Sequence, residues 1–129
     1  MRSPLVTVFD ETLGFCFDSA VSDVLGPVVR DSVYGLLERR GIPRREVATR
    51  FDETVRVLLK VLGEPSRVLV HRTLVELYGQ YSRRVDFSYE DSLRDRLLLL
   101  KGEVASGHLV PRELYESYGI DEALRSVPG

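Results

Sequence analysis

Apolar positions recur at helical spacing along most of the chain. Leu13, Phe17, Ala20, Val21 and Val24 fall at i, i+4, i+7, i+8 and i+11, which puts them on one stripe of a helix. Gly26-Pro27 breaks that run, and the fixed φ of a proline suits the first turn of a new helix. Val29, Val33, Leu36 and Leu37 carry the pattern on to Gly41, with Arg39 and Arg40 beside the negative end of the helix dipole. Pro43 predicts a short helix over residues 43–48. Phe51, Val55, Leu58, Leu59 and Leu62 repeat the stripe as far as Gly63, and Pro65 opens a segment with Val70, Leu74, Leu77, Tyr78 and Tyr81. Residues 10–82 thus predict four main helices with short connections, the pattern of a compact bundle of antiparallel neighbours. The expected class is all-α.

Beyond Ser82-Arg83-Arg84 the pattern changes. Ser88-Tyr89-Glu90-Asp91 resembles a capping box, with Ser88 as the cap and Asp91 reaching back. Leu93, Leu97, Leu100 and Val104 then share a face that Leu98 and Leu99 widen, so this helix calls for cover on two sides. Gly102 and Gly107 weaken its end. Pro111 predicts a last helix with Leu114, Tyr115 and Tyr118, followed by a helical turn from Asp121. Residues 86–129 are too few for a robust core of their own, so they are expected as a C-terminal helical extension packed on a core of residues 1–85, in one structural domain, or docked on a second copy. Leu5-Val6-Thr7-Val8 has the composition of a short strand for which no pairing partner stands out.

Composition narrows the function classes. The chain has 129 residues, 43% of them hydrophobic and 29% charged, as in an ordinary folded domain. Eighteen basic and twenty acidic side chains leave a net charge of −2, which argues against a generic nucleic-acid coat or an electrostatic membrane binder. The charge is unevenly spread: segments 1–27, 28–60, 61–101 and 102–129 carry −3, +3, +1 and −3. Acidic ends around a basic middle suit internal or head-to-tail contacts better than a polyanion partner. The lone Cys16 excludes an internal disulfide and a thiolate-rich zinc site. The chain lacks Asn and has one Gln, a thermophile habit, although 16 Arg against 2 Lys departs from the usual Lys and Glu enrichment and a coding bias explains it equally well. Thermophily is the expectation. The N-terminus lacks the long apolar stretch of a signal peptide, and no apolar run approaches the ~20 residues of a membrane span, so a cytoplasmic protein is expected.

Particular residues suggest a family. Val24-Leu25-Gly26, Val33-Tyr34 with Leu37-Glu38, Gly41-Ile42 and Glu46 come first; Phe51, Leu62-Gly63 and Glu76-Leu77-Tyr78 follow. In these positions the chain, from about Phe17 to Tyr81, resembles the archaeal Nitrosopumilus output domain. The matching residues are mainly helix-core and cap positions over about half of the chain. The resemblance implies a small helical domain acting as an output or interaction module in archaeal signalling. It implies no established enzyme activity and supplies no catalytic residues. The segment after Arg84 departs from the family pattern, and these 129 residues include no receiver or sensor domain.

Candidate chemistry is sparse. His71 and His108 stand 37 positions apart, and neither has a His or Glu at a helical metal-binding spacing. Cys16 sits between Phe15 and Phe17, in the apolar company of a core thiol. Asp10 and Glu11 are expected in a first helical turn, where the dipole favours them. Glu11 and Asp18 are seven positions apart, about 10 Å along a helix, too far for a carboxylate dyad and typical of a solvated face. Tyr34, Tyr78, Tyr81, Tyr115 and Tyr118 lie mostly on predicted apolar faces, where core and interface packing explains them without a ligand. No glycine-rich phosphate loop or nucleophile elbow is present. No catalytic residue, metal or cofactor is therefore expected.

Two surfaces remain as candidates. Arg39, Arg40, Arg44, Arg45 and Arg50 cluster around Gly41-Ile42-Pro43 and offer forked donors to a phosphate or to a partner's carboxylates. Residues 41–58 loosely imitate a helix-turn-helix. Phe51, Val55, Leu58 and Leu59 look core-facing there, and the outward Asp52 and Glu53 would repel phosphates. Leu97, Leu98, Leu99 and Leu100 form the other candidate, a patch for self-association as a homodimer. The expected function is a non-enzymatic protein-interaction or signalling-output module with a protein partner and no membrane. The alternative is a small nucleic-acid-binding regulator that uses the Arg39–Arg50 turn.

Overall fold

The computed structural model describes residues 4–88, 92–107 and 111, and every regular element among them is helical. Helix α1 spans Pro4–Leu25, α2 Pro27–Arg39, α3 Phe51–Leu62, α4 Pro65–Gln80 and α5 Leu93–Gly107, with a 3-10 turn at Arg44–Glu46. The fold is all-α. None of these helices is long and apolar enough to cross a membrane. The helix predicted from Pro111, the turn from Asp121, His108 and Asp91 lie outside the described residues.

The joints follow from a few special residues. Gly26, with φ 88°, ends α1, and Pro27 fills the first position of α2. Helix α2 closes at Gly41 (φ 86°), whose N–H donates to Glu38 O at 3.0 Å while the Ile42 N–H donates to Leu37 O at 2.9 Å. That pair of bonds satisfies the last carbonyls and turns Ile42 inward, where it is buried. Helix α4 ends in the same motif with Ser82 in the glycine position, at φ 55°: Ser82 N–H to Gly79 O is 3.1 Å and Arg83 N–H to Tyr78 O is 2.8 Å. At the start of α5 the capping side chain is Ser92, which accepts from the Asp95 N–H at 3.4 Å. The cap thus lies four residues beyond Ser88, and residues 83–88 form no regular element.

Leu5–Val8 is helical, as the first turns of α1. A strand needs a neighbour to take its backbone hydrogen bonds, and the described residues offer none. A helix needs no such neighbour and continues the stripe of Leu13 back to Phe9, which is 1% exposed. Asp10 and Glu11 accordingly lie inside α1 and not in its first turn. Glu11 is exposed, whereas Asp10 is buried with its carboxylate 3.9 Å from Lys101 of α5.

Helix α1 is the centre of the bundle and packs on α4, α2 and α5, while α4 also meets α3 and α5. Leu13, Phe17 and Val21 of α1 join Leu37, Leu58, Leu74 and Leu77 in one continuous core. Phe17 makes edge-on contacts with Tyr34 at 6.1 Å and Phe51 at 5.8 Å, tying α1 to α2 and α3. Helix α5 lays Leu93, Leu97, Leu100 and Val104 into this core, and each such side chain contributes about 1.5–3 kcal/mol of burial. The Tyr78 hydroxyl adds a bond to Arg96 O at 2.8 Å, and burial raises its pKa.

Candidate functional site

The arginine-rich turn is held by its own carboxylates. Arg44 places Nη2 2.8 Å from Asp18 Oδ1 and lies over the Tyr34 ring, 4.2 Å from its centroid. The Tyr34 hydroxyl donates to the same Asp18 oxygen at 3.0 Å, and Arg30 approaches Asp18 Oδ2 at 3.7 Å. Burial, with the Asp18 charge beside it, holds the Tyr34 hydroxyl far above its ordinary pKa. Asp18 is therefore a junction between α1, α2 and the 3-10 turn, and not part of a solvated face. Arg50 donates to Gly41 O at 2.7 Å, to Glu46 at 3.2 Å and to Glu53 at 2.7 Å. Its hydrogen bonds to Glu53 and Glu46 raise the guanidinium pKa, and the Arg50 bond holds Glu53 below the usual carboxylate value. Arg45 lies 3.7 Å from Glu46, and Arg39 and Arg40 are exposed at the end of α2. The turn thus directs Arg44 toward α1 and Arg50 toward its own loop and α3, and a phosphate at either of these two would have to displace internal partners, whereas Arg39, Arg40 and Arg45 stay largely in solvent.

The leucine run of α5 divides. Leu97 and Leu100 point inward, while Leu98 and Leu99 are 49% and 52% exposed. Successive residues turn by about 100° around a helix, so four in a row cannot share one surface. His71 has Nε2 3.4 Å from Phe87 O and its ring edge-on to Phe87 at 5.6 Å, a packing arrangement. Cys16 is fully buried. Among the described residues no group of three or more His, Cys, Asp or Glu side chains is placed to hold a metal.

A concavity lies elsewhere, between α3, α4 and the start of α5. It is a groove of about 490 Å³, intermediate between an enclosed cavity and a flat surface. Phe51, Val70, Leu93 and Leu97, all buried, make its floor. Leu59 lines it while remaining 41% exposed, because Leu58 beside it takes the inward position on α3. Arg56, Arg67 and Arg94 bring positive charge to the lining, where Asp52 is the single acid among the described residues. Arg94 Nε lies 3.0 Å from Asp52 Oδ2, a pair that joins α5 to α3. A second cleft of about 320 Å³, between α1, α3 and α5, is more polar and holds Asp10, Glu53 and Lys101. Sequence reasoning missed the groove. Its one signal was the breadth of the apolar arc on α3, where Val55, Leu58, Leu59 and Leu62 cover more of the helix than one neighbour can bury. Compared with known proteins, the chain matches no family model, no curated protein and no solved structure.

Proposed function

We propose that this protein is a non-enzymatic helical interaction module that docks a protein partner through the groove between α3, α4 and α5. One observation carries the reading: an apolar floor with Leu59 left 41% exposed at its side, in a cavity of about 490 Å³. A signalling-output role, as the family resemblance implies, is one form such docking takes. Nucleic-acid binding through the Arg39–Arg50 turn is the weaker reading, since Arg44 and Arg50 already face Asp18, Glu46 and Glu53. Capture from native cells with the wild-type chain, Leu59→Asp and the double variant Arg44→Ala/Arg45→Ala separates the two. The docking reading expects a partner that is lost with Leu59→Asp and kept by the double variant. Salt-sensitive binding of DNA or RNA at ~50 mM salt that disappears in the double variant would replace it with the nucleic-acid reading.

A further inference from the structure

We propose that the groove takes an acidic amphipathic helix, with Arg56 and Arg94 gripping its carboxylates and Asp52 holding Arg94 in reserve until that helix arrives. This inference rests on the docking reading above and names the chemistry of the partner. The lining supplies the two halves of such a recognition. Its floor is apolar, and its described charged side chains are three arginines against one aspartate. A forked guanidinium binds a carboxylate through two parallel bonds, which a lysine cannot do.

The shape favours a helix over a small molecule. A small-ligand site encloses most of its ligand, about 70–90% of the surface. This groove is only partly enclosed and keeps Leu59 partly in solvent, so its occupant must be large enough to cover the opening. One face of a helix, with anchors at i, i+3, i+4 and i+7, inserts apolar side chains and covers the rest with its own backbone. Nucleic acid fits less well, because Phe51, the only aromatic among the described lining residues, is 5% exposed and offers no face for a base to stack on.

The pair between Arg94 and Asp52 gives the groove its specificity. Both side chains are largely in solvent, 68% and 47% exposed, so their attraction is weak and exchangeable. A carboxylate on the incoming helix takes the place of Asp52 at Arg94. A basic helix meets Arg56 and Arg94 as like charges and, among the described lining residues, finds one carboxylate, Asp52.

The test uses the full chain and three fluorescein-labelled synthetic helices of about five turns, with one common leucine face and a Glu, Gln or Lys polar face. Their binding is followed by fluorescence anisotropy. The Glu helix is expected to bind saturably and at least about tenfold tighter than the Lys helix, and Arg56→Glu and Arg94→Glu should each weaken it by about tenfold. Asp52→Asn should tighten the Glu helix by about two- to fivefold, a gain that misfolding cannot produce. Equal binding of all three helices, still abolished by Leu59→Asp, would overturn the acidic specificity and leave the docking reading standing. Failure of all three to bind, or binding that ignores Leu59→Asp, would remove both. Sedimentation showing a dimer that Leu59→Asp dissociates would assign the groove to a second copy of this chain and overturn the separate acidic partner.

Discussion

Tyr81 gives a test of the packing that needs no partner. Its ring is 5% exposed and lies 5.9 Å from Phe9, and its buried hydroxyl makes no well-formed hydrogen bond among the described residues, with only a weak, imperfectly placed interaction with the Thr12 side chain. A buried unsatisfied polar group costs about 1–3 kcal/mol, whereas deleting one oxygen leaves a void smaller than a methyl, worth under about 1 kcal/mol. Tyr81→Phe should therefore leave stability unchanged or raise it by up to about 1 kcal/mol at neutral pH, the weak Thr12 interaction offsetting part of the gain. Alkaline pH supplies an independent reading. Burial pushes the Tyr81 pKa up to about 12, against about 10 in the unfolded chain. Below pH 10 both states keep the proton and stability is complete. Between pH 10 and 12 the unfolded chain loses its proton while the native state retains it, so the wild type loses stability as pH rises. At pH 11 that loss is about 1.4 kcal/mol, and the Tyr81→Phe variant, with no hydroxyl to ionise, cannot suffer it. Tyr34 and Tyr78, also raised, are common to both proteins and cancel in the difference. Urea unfolding by circular dichroism at pH 8 and pH 11 should thus show the advantage of the variant widening by about 1.4 kcal/mol. A variant more than about 1 kcal/mol less stable at pH 8 would mean that the hydroxyl has a partner; a gap that does not widen would mean that its ionisation is not suppressed.

Three further outcomes follow from the same packing. Leu100→Ala, which empties a site 1% exposed, should cost about 2–5 kcal/mol in urea unfolding, while Leu99→Ala, 52% exposed, should stay within about 0.5 kcal/mol. Ser82→Gly should raise stability by about 0.5 kcal/mol, since Ser82 holds a left-handed φ of 55°, and Gly41→Ala at φ 86° should lower it by about 1–2 kcal/mol. Asp18→Asn should cost about 1.5–3 kcal/mol by weakening the bonds from Arg44 and the Tyr34 hydroxyl, and a double-mutant cycle with Tyr34→Phe should give a coupling of about 1 kcal/mol. A coupling near zero would place the Tyr34 hydroxyl outside that network.

The sequence by itself determined the helices and where they stop. Gly26-Pro27, Gly41 and Gly63 with Pro65 act through backbone φ and a missing N–H, which are properties of two or three adjacent residues. The stripes on α1 and α3 are likewise local, because helical period decides which residues share a face. The same locality explains the misses. Leu5–Val8 suits strand or helix by composition, and what decides is whether a neighbour exists to pair with it. Asp10 and Asp18 look like surface acids in one dimension, yet Lys101 and Arg44 reach them from α5 and the 3-10 turn. Arg44 looks available for a phosphate until α1 supplies its carboxylate 26 positions away. The groove is the extreme case. No segment encodes it, since it is the space left where α3, α4 and α5 meet, and Arg94 finds Asp52 across 42 positions of chain. Periodicity and capping are fixed by neighbours in sequence, whereas pairing, burial and concavity depend on which helix lies across the way, and only the tertiary structure decides that.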